Sequence, residues 1–246
     1  MSLLTTVTGL VVKRSARLSA FGCRTSAAMT DAQRPSRDER SLQFLTLQDL
    51  EGSELTTQHG RLDKFSTRLD SGLVCAGFLQ DSQVVAYIWF ANPVLTSTEY
   101  APWAVGAKLR VPSSTVYIFD CRTHPDFTGR GLYSAALTAC MRMARDKDVP
   151  FAAMECAPHN VPSVRGMRNA GFRHQGNLTV SRIGPLIQVQ RDLLTSQGKT
   201  DGATGRWLGF GSVPSTFVHA MSRRCVDGQS ATSPSAQKIT AQDERS

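Results

Sequence analysis

The sequence predicts an α/β fold: a mixed central β-sheet with helices on both faces. A strand-like run at residues 116–121 is followed by an amphipathic pattern at 132–145 and an apolar run at Phe151–Cys156. Such a strand–helix–strand unit needs a right-handed parallel crossover. Other strand candidates are joined by short polar turns and must pair as antiparallel hairpins. Parallel and antiparallel pairs are therefore expected within one sheet.

The two ends of the chain lack the apolar periodicity of its centre. Residues 195–246 are rich in Ser, Thr, Gly, Gln and Ala, as solvated segments usually are. The sequence predicts one domain over 41–194, which is close to the usual domain size. A disordered basic extension at 1–40 and a largely disordered tail at 195–246 are expected to flank it.

The positive charge is concentrated at those ends. Residues 1–40 hold seven Lys or Arg against three Asp or Glu, and 195–246 hold six against four. Of the 28 basic and 20 acidic residues, 15 and 13 remain for 41–194, a net charge of +2. A duplex-binding domain would carry its charge on the folded part. We therefore expect no specific nucleic-acid partner.

The first 28 residues have the composition of an organellar transit peptide, with basic residues among Ser and Thr and no acidic residue before Asp31. The alternative is an unstructured extension, since Met29 would itself make an ordinary start. We expect a cytoplasmic protein, or a mitochondrial or other organellar one if 1–28 is a targeting segment. No apolar run approaches the length of a membrane-spanning helix. The basic residues are Lys13, Arg14, Arg17 and Arg24.

The six cysteines are dispersed, without a C-x-x-C pair or histidines at zinc-finger spacing. This pattern indicates reduced, mostly buried thiols in an intracellular protein and no metal site. The cysteines are Cys23, Cys75, Cys121, Cys140, Cys156 and Cys225.

The N-terminal half of the predicted domain contains the hairpin strands. Residues 41–47 alternate apolar and polar side chains, which predicts a first strand, and 48–70 has amphipathic helical stretches. The apolar runs 73–79 and 84–90 flank the polar turn 80–83 and predict an antiparallel hairpin.

Residues 91–114 contain three prolines and show no clean period. A segment of this length within a domain is usually functional or disordered. Its residues Glu99, Tyr100 and Trp103 leave two interpretations open: a structured loop that faces a substrate, or a surface loop pinned by Trp103.

The C-terminal half continues with helix and strand patterns. Residues 132–145 place apolar side chains at the spacing of a helix buried against a sheet. Val161–Asn169 is a second helix, with Gly171 as its stop. Residues 176–183 and Leu186–Leu193 are predicted to be two closing strands.

The turn between residues 121 and 132 has the features of an anion site. Gly129 and Gly131 let the backbone approach a ligand closely, and the helix that begins there presents unpaired N–H groups and a positive dipole end. These features suit a pyrophosphate, with Arg130 as counter-charge. The alternative is a glycine-bearing helix entry with nothing bound.

A second motif follows this turn after a helix and a strand. The pattern Asn160-x-x-Ser163-x-x-x-Met167-x-x-x-Gly171-Phe172, together with the glycine turn, resembles the GNAT superfamily of N-acetyltransferases. The resemblance covers about 41–193 and is strongest over 116–172. It implies a central pair of splayed parallel strands and acetyl-CoA as acyl donor.

The resemblance implies positions that bind the donor. The family's pyrophosphate loop falls on residues 128–133, where Thr128 and Tyr133 depart from its consensus and Tyr133 is expected to narrow the space beside the phosphates. Asn160 corresponds to a side chain that contacts the pantetheine arm, although it could also simply cap its helix. The donor-binding residues expected are Thr123, Thr128, Gly129, Arg130, Gly131, Leu132, Tyr133, Asn160 and Ser163.

The resemblance also implies catalytic positions. Glu155 corresponds to a general base that some members use; the alternative is a structural salt bridge with a neighbouring arginine. Met167 stands where the family has its tyrosine acid. Either Tyr117, Tyr133 or a water then supplies the proton, or the thiolate leaves unassisted. Of these we expect Tyr117, unless it is only a core aromatic residue.

We therefore expect an acetyl-CoA-dependent N-acetyltransferase, a monomer or homodimer, that acts directly on a primary amine of a small molecule or peptide. The alternative is a catalytically impaired acyl-CoA-binding module with a regulatory or scaffolding role.

Overall fold

A computed structural model of the chain describes residues 13–26, 41–57, 62–193, 205–210 and 212–218. The predicted α/β fold is confirmed: a mixed sheet carries helices on both faces. The strands are β1 (Lys13–Arg24), β2 (Gln43–Phe44), β3 (Val74–Gln80), β4 (Gln83–Ala91), β5 (Tyr100–Pro102), β6 (Lys108–Arg110), β7 (Thr115–Thr123), β8 (Phe151–Cys156), β9 (Arg173–Ile183), β10 (Leu186–Leu193), β11 (Gly205–Phe210) and β12 (Ser212–Val213). The helices are α1 (Leu47–Glu51), α2 (Glu54–Thr57), α3 (Leu62–Asp70), α4 (Leu132–Asp146) and α5 (Val161–Asn169).

Nine strands form the main sheet, in the order β11-β10-β9-β1-β8-β7-β4-β3-β2. Its central pair, β7 and β8, is parallel, and the other neighbours that pair are antiparallel. The parallel pair is the crossover that the strand–helix–strand pattern predicts, with α4 as the connecting helix.

The two faces of the sheet are covered by different helices. Helices α1 to α3 contribute Leu50, Leu55 and Phe65 to one core cluster. Helices α4 and α5 contribute Leu132 and Met167, among others, to the cluster on the opposite face. Strands β7 and β8 are thus buried between two helical layers, as parallel strands generally are.

The expected domain start at residue 41 is wrong for part of the N-terminal segment. Strand β1 lies within the sheet, between β8 and β9, and pairs with both. Its residues Ser19 and Ala20 are buried. Small side chains suffice here because both faces of a central strand are covered, and they give no hydrophobic alternation for sequence analysis to detect. The residues of 1–40 outside 13–26 are not described.

The predicted tail also contributes structure. Strand β11 pairs with β10, while β12 pairs with β6. Phe217 and Val218 are buried in the core cluster of the α1–α3 face. These apolar side chains anchor part of the segment 195–246, whose remaining residues are not described.

Two further expectations are corrected in detail. The first predicted strand shrinks to the two residues of β2, because Thr46 caps α1 in a reciprocal bond with Asp49 and so begins a helix. The segment 91–114 forms β5 and β6, which join β12 in a three-stranded sheet. The β3–β4 hairpin, both long helices and the two closing strands are confirmed.

Among the helices that the structure describes, none is long and apolar enough to cross a membrane.

Candidate active site

A gap opens in the middle of the sheet where β7 and β8 separate. The two strands pair over three residues only, and their last pair is Tyr117 with Ala153. Beyond it, β7 remains paired with β4 as far as Thr123, and β8 remains paired with β1 as far as Cys156. Each strand is therefore held from its outer side, and the gap between them is a fixed slot.

The glycine turn lies at the end of β7, before α4. Gly129 and Gly131 have φ values of +77° and +79°, which glycine adopts without strain. A Cβ added to either would meet no atom within 4 Å. The first helical bond runs from the Ala135 amide to the Gly131 carbonyl oxygen at 3.0 Å. The preceding three amides of α4 therefore have no acceptor within the helix and suit an anion in the open space.

Three of the predicted donor-binding residues use their side chains within the protein. The Thr128 amide and hydroxyl both donate to the Pro125 carbonyl oxygen, at 3.1 and 2.8 Å. The Arg130 guanidinium carbon lies 4.7 Å from the ring centre of Phe127. The Leu132 side chain is buried in the core. Leu132 can therefore contact a ligand only through its backbone.

Tyr133, which is expected to narrow the space beside the phosphates, does not reach the space above Gly129 and Gly131. Its ring lies against α5, where a Cβ added to Gly166 would stand 2.2 Å from Tyr133 Cδ1. Its hydroxyl is 3.2 Å from Ser163 Oγ. Because Gly166 has no side chain, the Tyr133 ring fits against α5. The space next to Gly131 stays open.

Asn160 caps α5 through its side-chain oxygen, which accepts a bond from the Ser163 amide at 3.2 Å. The capping role that the sequence left open is therefore present. It uses only the carbonyl half of the amide, so the Nδ2 group remains the part that a ligand could contact. Thr123 pairs with Ala86 of β4 at the rim of the slot.

The predicted catalytic pair is brought together across the slot. The Tyr117 hydroxyl donates a hydrogen bond to Glu155 Oε1. Glu155 as a residue is only partly buried, but its second oxygen, Oε2, is shielded from solvent and has no hydrogen-bond partner in the described chain. The salt bridge considered from the sequence does not form among the described residues. Glu155 thus has one oxygen fixed and one oxygen free to accept a proton.

Burial raises the pKa of both groups of this pair. Desolvation raises the pKa of Glu155 to about 7, although the hydrogen bond from Tyr117 and the nearby indole N–H of Trp103 act to lower it. Desolvation, together with the charge of Glu155, raises the pKa of Tyr117 well above its ordinary value. Near neutral pH the carboxyl can take up a proton, while the phenol keeps its own.

Trp103 is the site residue whose role the sequence left undecided. It follows β5 and is 7% exposed. Its indole N–H influences the pKa of both Glu155 and Tyr117, yet Nε1 makes no well-formed hydrogen bond with any described group. A donor and an acceptor without partners thus lie close together in one buried region. The only sequence signal was a tryptophan in a segment without a period.

Met167, which the resemblance places where the family has its tyrosine acid, has a side chain completely buried in the core. Cys121 and Cys156 border the slot, but burial raises the pKa of both thiols, that of Cys156 to about 11. They are therefore protonated near neutral pH.

His124 lies beside the slot at the end of β7. Its Nδ1 accepts a bond from the Asp126 amide at 3.3 Å, and its Nε2 is 3.7 Å from Glu54 Oε2. With Phe127 it lines a cavity of about 190 Å³ next to the β3–β4 turn. Among the described residues, no group of three or more His, Cys, Asp or Glu could hold a metal ion. The five described cysteines form no disulfide with one another.

Several solved structures are similar to this chain at low sequence identity. A GNAT-family acetyltransferase from Novosphingobium aromaticivorans is 16% identical, with a TM-score of 0.42, covering 70% of this chain and 65% of the other. One from Colwellia psychrerythraea is 9% identical, with a TM-score of 0.43, covering 74% and 57%. A ribosomal-protein-alanine N-acetyltransferase from Brucella melitensis is 15% identical, with a TM-score of 0.38, covering 52% and 88%.

The chain spans less than two thirds of the length of the first two of these proteins. No curated protein matches it. The model of the acetyltransferase (GNAT) family matches residues 40–172, which is more than half of the chain and includes the slot, the glycine turn and α5. The chain belongs to the GNAT acetyltransferase family.

Proposed function

We propose that this protein transfers an acetyl group from acetyl-CoA directly to a primary amine of a small molecule or peptide, with Glu155 as general base. The observation that carries the proposal is the Glu155 carboxyl group: one oxygen accepts a bond from Tyr117, and the other is buried without a partner. It lies at the point where β7 and β8 separate. A buried acceptor without a partner is costly unless a ligand or water completes it.

The slot and the glycine turn suit the donor substrate. The free amides at the start of α4 would hold the pyrophosphate, and the open space above Gly129 and Gly131 admits it. The unpaired edge of β7 beyond Tyr117 offers backbone groups to the pantetheine arm, which would bind as an added strand does. These contacts use backbone atoms, so the departures at Thr128 and Tyr133 do not prevent them.

The catalytic pair can move the protons that the reaction requires. Glu155 accepts a proton from the substrate ammonium, so that the amine nitrogen can form the C–N bond as the C–S bond breaks. Tyr117, which burial keeps protonated, supplies a proton to the leaving sulfur and regains one from Glu155. A second proton leaves the nitrogen for solvent. The products are the amide and free CoA thiol.

A second candidate function follows from Met167. Its burial in the core leaves no proton donor at the position where the family has tyrosine. If Tyr117 serves only to hold Glu155, the protein is an acyl-CoA-binding module with impaired turnover and a regulatory or scaffolding role.

Thermal unfolding and thiol release separate these possibilities. At a hundredfold excess over its Kd, acetyl-CoA should raise the Tm by roughly 5–10 °C. Thiol release should then accelerate with at least one member of a panel of small amines, polyamines, aminosugars and peptide N-termini. Binding without acceptor-dependent release would favour the impaired module, and no binding would refute both.

The Glu155→Gln variant tests the base. We expect acceptor-dependent thiol release to fall about 10²–10⁴-fold, with the acetyl-CoA-induced change in Tm retained. Asp146→Asn is the control, since this exposed carboxylate lies at the far end of α4, where it pairs with Arg145. Unchanged release by Glu155→Gln would remove Glu155 from the mechanism.

A further inference from the structure

Arg68 is a cation on the apolar face of α3. It follows Phe65, the other buried side chain of this helix, by three residues, and only 6% of its surface is exposed. Its guanidinium carbon lies 5.1 Å from the ring centre of Trp89 and 5.2 Å from that of Phe119. Its Nη1 donates to Asp120 Oδ2 at 2.7 Å. One side chain therefore connects α3 with β4 and β7.

Asp120 lies in a β-bulge of β7. Two residues, Asp120 and Cys121, stand opposite the single residue Ile88 of β4. The φ of Asp120 is +44°, in a region that residues with a Cβ rarely adopt. Because a bulge bends and twists its strand, this irregularity directs β7 away from β8, three residues after their last pair at Tyr117.

The Asp120 carboxylate is held by cations. Besides Arg68, Lys64 Nζ lies 3.1 Å from Oδ2, and Arg122 Nε lies 3.8 Å from Oδ1. Burial by itself would raise the pKa of Asp120, but the charges of Arg68 and Lys64 outweigh this effect and hold the pKa below its ordinary value. Lys64 and Arg122 are about half exposed, so water screens the charge of Arg68 less than it screens theirs.

We propose that Arg68 is a positioning residue for the acyl donor: its buried ion pair with Asp120 fixes the bulge of β7 and thereby the width of the slot between β7 and β8. This inference rests on the proposed function, because it assigns the slot to the pantetheine arm of acetyl-CoA. Arg68 itself does not touch the donor. It acts through the backbone of β7.

Stability alone is a weak reason for this pair. A buried ion pair adds little folding stability compared with apolar side chains of the same volume, because both charges are removed from water. The pair instead stabilises one backbone conformation, the positive φ of Asp120. Without it, the bulge is free to relax towards regular pairing with β4, which changes the direction of β7 along the slot.

The experiment uses a double variant, Arg68→Met with Asp120→Asn. It removes both charges together, so neither is left buried without its partner. We expect it to fold, with near-UV circular dichroism like that of the wild-type chain, and to bind acetyl-CoA with a Kd raised at least tenfold in calorimetric titration. Arg68→Lys keeps the charge but not the planar group, and should give an intermediate Kd.

The matched control is Arg145→Met with Asp146→Asn, which removes a second Arg–Asp pair, at 3.0 Å, on the surface at the far end of α4. Its Kd should stay within twofold of the wild-type value. If the folded Arg68/Asp120 double variant binds acetyl-CoA as the wild-type chain does, the inference is overturned while the proposed function stands. A double variant that does not fold also overturns it, since the pair would then serve stability. Failure of the wild-type chain to bind refutes the proposed function as well.

Discussion

The Glu155 carboxyl group owes its chemistry to its burial and to the Tyr117 hydroxyl. Burial raises its pKa to about 7, and the Tyr117 hydrogen bond acts in the opposite direction. A base is most effective when its pKa lies near the working pH. The residue type and its place in an apolar strand are visible in the sequence, whereas the free Oε2 oxygen and the bond from Tyr117 are not.

The pH dependence of activity follows from these shifts. As a base, Glu155 must be deprotonated, so kcat/KM should be lost as pH falls through an apparent pKa of about 7 and be fully present above it. Tyr117→Phe removes a hydrogen bond that lowers this pKa. The acidic limb of the pH profile, over which kcat/KM is lost, should therefore move to higher pH. The measurement is kcat/KM from pH 5.5 to 9 for both proteins. A limb that stays in place in Tyr117→Phe would show that another group is titrating.

At the scale of the element, the glycine turn and α4 form a unit. The turn ends at Gly131, whose positive φ lets α4 begin without a side chain over its first amides. This unit is predictable from the sequence because glycine spacing and helical periodicity are local properties. The packing of Tyr133 against Gly166 joins α4 to α5 and was not predictable, because it depends on the approach of two helices.

Gly131→Ala tests whether the turn binds the phosphates of acetyl-CoA. The new methyl group would meet no protein atom but would enter the open space. Strain at positive φ should cost roughly 1 kcal/mol of stability. Loss of charge-assisted hydrogen bonds to the phosphates, worth about 1.5–3 kcal/mol, should raise the Kd for acetyl-CoA about ten- to a hundredfold.

Gly184→Ala is the matched control for this prediction. Gly184 also has a positive φ, +56°, and open space around an added Cβ, but it lies in the β9–β10 turn. Its loss of stability should be similar, and its Kd should not change. Equal Kd values for the two variants would mean that the phosphates bind elsewhere.

At the scale of the whole molecule, β1 completes the sheet. It fills the position between β8 and β9, and Ala20 is the register partner of Glu155. A chain that began at Met29 would lack this strand and expose two unpaired edges. Cleavage of residues 1–28 as a transit peptide would have the same effect.

Phe21→Ala tests the structural role of β1. Phe21 is 1% exposed, and its ring centre lies 5.2 Å from that of His174. The substitution should lower the free energy of unfolding by about 3–5 kcal/mol in urea titration. Arg17→Ala, on the exposed part of the same strand, should have little effect. If Phe21→Ala left the free energy of unfolding unchanged, β1 would not be needed for stability and residues 1–40 would be a dispensable extension.

The sequence by itself determined the local features: the strands and helices of 73–90 and 116–193, the glycine turn, and the match of two motifs to one family. These depend on periodicity, turn residues and spacing, which act over a few positions. Only the tertiary structure decided that 13–24 enters the sheet, that Trp103 lies beside Glu155, and that Arg68 holds the bulge of β7. Each of these joins parts of the chain that are distant in sequence, and no local pattern specifies such a contact. The slot that the motifs imply is therefore shaped by residues outside the motifs.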